Sequence, residues 1–279
     1  MNEIKVKRRR KHHGCLHFIL YCLILAGIWY YGTFTLTTTE VTIESEKIQD
    51  EVTIVQITDL HGWKFGKNNQ WLIESVKTAK PDFIVSTGDM FSAGDSRGAE
   101  VAEQLLSDLA KEYPVYAVNG EHDNDSEFEE RLSKAGVEVI RYESRDIEIG
   151  KTSLRLYGID NVYYSDAFDL HNEFTLDESR YNILAAHISN SKAFSDFGVD
   201  LAMCGDTHGG QVRLPFVGGL NNRGTWFPEL AGGEPFYTKG LYEMDAMKLF
   251  ICGGLGSSPV PVRFLNRPEI AVIHLTPGD

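Results

Sequence analysis

The sequence predicts an α/β domain, with helices outside and sheets inside, carried behind a single membrane-spanning helix. Three observations lead there. β-branched runs alternate with helix-period segments from residue 52 onward. The stretch from Gly14 to Thr39 contains no Asp, Glu, Lys or Arg. Clusters of Asp, His and Gly fall just after several of the strand-like runs.

Composition narrows the class. The chain has 279 residues and is 42% apolar, enough for a globular core and too much for a disordered chain. It carries 27 basic against 40 acidic residues, a formal −13, which argues against nucleic acid as a partner. With 26 Gly and 9 Pro it is not collagen-like, and four scattered cysteines make neither a disulfide scaffold nor a CxxC metal site. Cys204 and Cys252, at strand ends, are expected to be buried and unpaired.

Charge is concentrated at the start. Lys5, Lys7, Arg8, Arg9, Arg10 and Lys11 against Glu3 give residues 1–13 a net +5, leaving −18 on the rest. The 22 residues from Cys15 to Leu36 would reach about 33 Å as a helix, enough to cross the hydrocarbon core. Trp29, Tyr30 and Tyr31 stand near its far end, where aromatics favour the headgroup boundary. The basic side predicts a cytoplasmic N-terminus and an exported body. The alternative is a cleaved export signal. Leu25-Ala26-Gly27 is a poor cleavage site, and bulky aromatics follow it, so a retained anchor is expected.

The body is expected to begin with a polar stem and a first strand within 37–50, centred on Val41–Ile43. Strands follow at Val52–Ile57, Phe83–Val85, Val115–Val118, Val137–Ile140, Ser153–Tyr157, Tyr181–Ala186, Leu201–Met203, Leu249–Ile251 and Ile270–Leu275. Helices are expected at Asn69–Ala79, Glu100–Leu109 and Ser126–Ala135, where apolar residues recur near the helical period.

Five strand ends carry the chemistry. They are Thr58-Asp59-Leu60-His61-Gly62, Gly88-Asp89, Asn119-Gly120-Glu121-His122-Asp123, His187, and Gly205-Asp206-Thr207-His208-Gly209. Ligands of α/β sheets bind at carboxyl ends of strands. Mixed carboxylates and imidazoles suit divalent metal. Taken singly, each Asp-x-His or Gly-Asp is more often a turn, and a strand-end His more often structural. The ordered set is what points to a metal centre.

This order resembles the calcineurin-like metallophosphoesterase family, whose pattern runs DxH, GD, GNH, H, GHxH. Cys204–Pro215 and the tail Gly254–Ile270 resemble its membrane-associated bacterial branch. The likeness covers roughly residues 50–279. It implies a four-layer αββα sandwich over 51–279, after a cytoplasmic segment 1–14, an anchor 15–36 and the stem 37–50. It implies a metal-dependent phosphoesterase with two divalent ions. Asp59, His61, Asp89 and His208 would hold the first, and Asp89 would bridge to a second held by His187, Glu121 and Asp206. His122 would stand by the leaving group, oriented by Asp123.

Two positions depart from the pattern: Glu121 stands for Asn, and Asp206 for His. Both belong to the second-metal half, and both replacements can still ligate. They raise the carboxylates from two to four. One unit charge at 4 Å is worth about 4 kcal/mol at an effective dielectric of 20. The second site should therefore favour harder ions, Mn²⁺ foremost among Mn, Fe, Zn, Mg and Ca. The anchor suggests a phosphomonoester or phosphodiester, lipid-linked, at the outer membrane face, with a monomeric enzyme. Two other readings stay open: a non-catalytic metal-binding scaffold and a one-metal enzyme. Arg263 and Arg267 are read either as phosphate contacts or as structural salt bridges, and Trp63 and Phe65 either as acyl contacts or as core.

Overall fold

The computed structural model describes residues 13–278 apart from 161–163, 166, 223, 231–236 and 245–246. The basic cluster before His13 therefore lies outside the described residues. Helix α1 (His13–Phe34) comes first. It is apolar and exposed along most of its length, and is long and apolar enough to cross a membrane.

Two six-stranded sheets form the body. The first is built from β1 (Thr37–Ser45), β2 (Val52–Ile57), β3 (Phe83–Ser86), β4 (Val115–Ala117), β5 (Glu138–Val139) and β16 (Glu269–Pro277), in the order β1-β16-β2-β3-β4-β5. The second is built from β6 (Glu143–Ile149), β7 (Thr152–Gly158), β8 (Tyr181–Ala185), β9 (Leu201–Cys204), β14 (Gly240–Met244) and β15 (Met247–Ile251), in the order β14-β15-β9-β8-β7-β6. Between them in the chain lie two small hairpins, β10 (Arg213–Leu214) with β11 (Gly218–Gly219), and β12 (Asn221–Asn222) with β13 (Thr225–Trp226).

Alternation of side chains makes the layers. In β2, Ile54 enters the core between the sheets, and Val55 and Ile57 enter the core under the helices. Phe83 and Val85 face inward and Ile84 outward. In the second sheet, Ile183, Leu201, Met203 and Phe250 meet the first sheet, whereas Leu184, Ala202, Leu249 and Ile251 face the opposite way. Both faces of both sheets are thus apolar, and each needs a cover. Helices α2 (Gln70–Ala79), α3 (Ser96–Ala110) and α4 (Ser126–Lys134) cover the first sheet. Helix α5 (Ser191–Phe197) supplies Phe194 and Phe197 to the second. The result is the expected αββα sandwich.

Local signals fix the helix starts. Asp95 caps α3, accepting from Gly98 N at 3.0 Å, so α3 begins four residues before the apolar periodicity does. Asp125 caps α4, accepting from Glu127 N at 2.8 Å and Phe128 N at 3.1 Å. Glu127 and Glu129 in its first turn and Arg131 and Lys134 in its last complement the helix dipole.

Residues 37–50, expected to hold a stem and a first strand, contain β1. β1 pairs in parallel with β16 over nine positions, from Thr37 opposite Glu269 to Ser45 opposite Pro277. β1 is thus an edge strand of the first sheet, close behind α1. Strands β6 and β14 escape the sequence reading because they are sheet edges. One face of each meets water, and charged residues such as Arg145, Asp146 and Glu243 dilute the apolar signal. Cys204 and Cys252 are buried and unpaired, as expected.

Candidate metal centre

The parallel strands β2, β3 and β4 of one sheet and β8 and β9 of the other all end at one rim. Their following loops are stitched together by backbone hydrogen bonds. Asp59 N donates to Gly88 O at 3.0 Å, His61 N to Asp89 O at 3.1 Å, and Gly205 N to His187 O at 2.9 Å. Asp59, His61, Asp89, Asp206 and His208 all have positive φ, between 47° and 70°. That is five of the thirteen such non-glycine residues described, gathered at one place. Each costs on the order of 1–3 kcal/mol, a strain that concentrates at functional sites.

Tight approach demands glycine at two positions. A Cβ on Gly120 would fall onto Asp89 Oδ1 and lie 2.5 Å from Asp89 N. A Cβ on Gly205 would meet Thr58 Oγ1 and come within 2.7 Å of Asp59 Oδ2.

Two groups of ligand atoms result. Asp59, His61 and His208 form one, and Asp59, Asp89 and His187 the other, each with its atoms within 4.8 Å of one another. Asp59 is the member common to both, where the resemblance implied Asp89. Asp89 is nonetheless central, with Oδ2 3.3 Å from His187 Nε2, 3.8 Å from His61 Nε2 and 4.0 Å from His122 Nε2. Glu121 and Asp206 line the same open cleft as His61, Asp89, His122 and His208, together with Ser258 and Pro259. Asp206 Oδ1 lies 3.9 Å from His187 Nε2. All seven expected ligand positions thus meet at one rim.

The protonation pattern fits a bound cation. His187 is fully buried, and its Nδ1 lies 2.8 Å from Thr87 O, so Nδ1 carries a proton and donates it. Nε2 is buried among carboxylates without a hydrogen bond. Burial disfavours its charge, but the adjacent Asp89, Asp59 and Asp206 outweigh that and push the ring up to about 10. An atom held this way among carboxylates is where a cation belongs. His61 and His208 face each other, Nε2 to Nε2, at 3.1 Å. Burial lowers His61 to about 4 and takes His208 well below its ordinary value, so both rings are neutral and able to ligate. Burial also raises Asp59 to about 7, with Asp89 and Asp206 adding to the rise. Asp89 is held well below the usual range, because the close positive ring of His187 and then the His122 backbone N–H overcome its burial.

His122 is half-exposed at the cleft, and its backbone N–H donates to Asp89 Oδ1 at 2.9 Å. Asp123 reaches the loops rather than the His122 ring. Its Oδ1 accepts from Gly120 N at 2.6 Å and its Oδ2 from Met90 N at 2.7 Å. Burial, and then Asp89, raise its carboxyl to about 6.

Several supporting residues were not legible beforehand. Gln56 crosses between the sheets, donating to Thr87 Oγ1 at 2.8 Å and Cys204 O at 2.9 Å. Ser92 lies 3.1 Å from His61 Nδ1, and Asn266 donates to His208 O at 2.7 Å. A polar residue in a strand interior was the signal for Gln56; a distant chain segment supplies the partner of each of the others. Arg263 and Arg267 form no salt bridge among the described residues. Arg263 is buried, and donates to Gly253 O at 2.8 Å and, from Nε, to Gly256 O at 3.1 Å. Arg267 donates to Thr35 Oγ1 at 2.9 Å and lies over the Tyr31 ring at 4.7 Å. Neither is aimed at the cleft. Phe65 is core, and Trp63 packs against Phe34 at 5.3 Å between ring centres.

The sequence is similar to known proteins. The family model described as calcineurin-like phosphoesterase matches residues 52–210. The metallophosphoesterase YkuE of Bacillus subtilis is 27% identical over 267 residues, covering 88% of this chain and 87% of that protein. A metallophosphoesterase of Aquifex aeolicus is 27% identical, covering 92% of this chain and 98% of its own. The phosphodiesterase YaeI of Escherichia coli is 28% identical over 210 residues, covering 70% of this chain and 71% of that protein. Sequence, sandwich and rim agree: the chain belongs to the calcineurin-like phosphoesterase family, the metal-dependent hydrolases of phosphoric esters.

Proposed function

We propose that the protein is a dinuclear phosphoesterase, held in the membrane by α1 and acting on a lipid-linked phosphate ester at the outer face. The single observation that carries the metal reading is His187 Nε2, buried beside Asp89 and Asp206 and lacking a hydrogen bond. Asp59, His61, Asp89 and His208 would hold one ion, and His187, Glu121 and Asp206 the other, with Asp59 and Asp89 both placed to bridge. When bound, two divalent ions polarise the phosphoryl oxygens and supply a nucleophile from water at neutral pH. Four carboxylates favour Mn²⁺ over Zn²⁺.

The chain's own residues then do the following. Asp59 and Asp89 fix the spacing of the two halves. His122, at the cleft, is placed to give a proton to the departing oxygen. Asp123 sets the position of His122 through the backbone turns it holds at Gly120 and Met90. A retained anchor is supported by the far end of α1. Thr33 there is fully buried against the body, so removing the helix would strip a packed surface.

The test is full-length protein in detergent with bis(p-nitrophenyl) phosphate and p-nitrophenyl phosphate, loaded with Mn²⁺ and assayed for metal content. Two ions per chain and turnover that Asp89→Asn abolishes are expected. One ion per chain with full turnover would overturn the dinuclear reading. Resistance of the body to protease added outside intact cells would overturn the outer location.

A further inference from the structure

The tail loop that borders the metal cleft has an unusual surface. Ser258 and Pro259 line the cleft itself. The next residues expose apolar side chains: Val260 at 55%, Val262 at 38%, Phe264 at 37% and Leu265 at 60%. The loop's one charged residue, Arg263, points inward and is 1% exposed. An uncharged apolar edge on a body of net −18 is not explained by solubility.

Its position relative to α1 says what covers it. Trp29 Nε1 donates to Pro261 O at 2.8 Å, and Arg263 N donates to Thr33 Oγ1 at 3.1 Å. Gly32 packs so closely that a Cβ there would lie 2.5 Å from Arg263 O. The loop therefore runs down the side of the helix, from the level of Thr33 to that of Trp29. Four residues of helix at about 1.5 Å each place Pro261 roughly 6 Å closer to the bilayer centre than the Thr33 level. Trp and Tyr settle at the headgroup boundary, and Trp29, Tyr30 and Tyr31 mark that level here. An apolar surface at such a depth sits among headgroups and upper acyl carbons.

We propose that the segment 259–265 is a membrane-inserted shelf, with Val260, Val262 and Leu265 in the lipid interface beside α1. The inference rests on the reading of α1 as a retained anchor. Its consequence is that the metal cleft opens onto the lipid surface, because Ser258 and Pro259 belong at once to the cleft wall and to the base of the shelf. A phosphate ester whose leaving group remains in the bilayer would enter without leaving it.

The test uses the full chain in phosphatidylcholine–phosphatidylglycerol vesicles, with Cys15 and Cys22 replaced by Ala. Cys204 and Cys252 are buried and stay unlabelled. A nitroxide is attached at Val260→Cys, Val262→Cys or, as a water-facing control, Lys134→Cys. Labels at 260 and 262 are expected to collide with oxygen at least threefold more, relative to a water-soluble nickel chelate, than the label at 134. Equal accessibility at all three, in protein that stays in vesicles through alkaline carbonate, overturns the shelf and leaves the anchor standing. Release by carbonate overturns the anchor and the shelf with it.

Discussion

Thr33, in the last turn of α1, accepts the backbone N–H of Arg263 at 3.1 Å. The guanidinium of the same arginine lies behind the metal centre, its Nη2 3.4 Å from His208 Nδ1. One residue thus links α1 to a candidate metal ligand. Burial lowers Arg263 to about 10, which leaves it charged at neutral pH. Its partners are Gly253 and Gly256 carbonyls and the Ser257 hydroxyl rather than a carboxylate.

This arrangement predicts that lysine cannot replace it. Arg263→Lys keeps the charge but loses the planar fork that reaches several acceptors. Each lost charged hydrogen bond is worth about 1.5–3 kcal/mol. A urea midpoint lowered by at least one such increment, at unchanged slope, is the expected result. A wild-type midpoint would show that the fork contributes nothing.

Asp89 stands near three imidazoles, so its removal should cost metal before it costs fold. Asp89→Asn is expected to lose at least one ion per chain by elemental analysis. Turnover of bis(p-nitrophenyl) phosphate should fall more than about 100-fold, the upper cost of losing a mere outer contact to a metal ligand. Full metal content with unimpaired turnover would remove Asp89 from the site.

The raised titration of His187 has a definite sign. In the metal-free protein its contribution to stability is fully present below its ordinary value of 6.5, and is lost as pH rises through about 10. A cation must displace that proton. Mn²⁺ affinity, measured against a competing fluorescent chelator, should therefore rise about tenfold per pH unit between 7.5 and 9. Below pH 7 the slope should steepen, because Asp59, raised to about 7, also gives up a proton. A flat profile across 7.5–9 would mean that His187 is not a ligand.

Glu121 and Asp206 line the cleft with His61, Asp89 and His208. Glu121→Asn with Asp206→His removes two negative charges. The acid limb of the pH–rate profile should move to lower pH, since fewer charges oppose proton loss from the attacking water. Metal preference should shift toward Zn²⁺. The single variants should not sum to the pair, because the two residues would share one ion. Identical profiles in all four proteins would place both carboxylates outside the metal shell.

The candidate ligand positions were legible because each follows a recognisable strand. β2, β3, β8 and β9 are short apolar runs buried on both faces, and such runs need little context to identify. The apolar length of α1 is likewise a property of local composition. What sequence could not supply depends on which distant segments meet. β1 belongs to the first sheet only because β16, more than 220 positions later, lies beside it. Edge strands β6 and β14 take their conformation from one neighbour each, β7 and β15. Arg263 reads in isolation as a phosphate contact or a structural salt bridge, yet the fold turns it inward onto backbone carbonyls between Thr33 and His208. Local composition determined the strands, the apolar helix α1 and the types of candidate ligand, because burial and periodicity are written residue by residue. Tertiary packing decided which candidate ligands stand together and how the cleft stands against α1, because hydrogen bonds and electric fields depend on distances that only the closed sandwich sets.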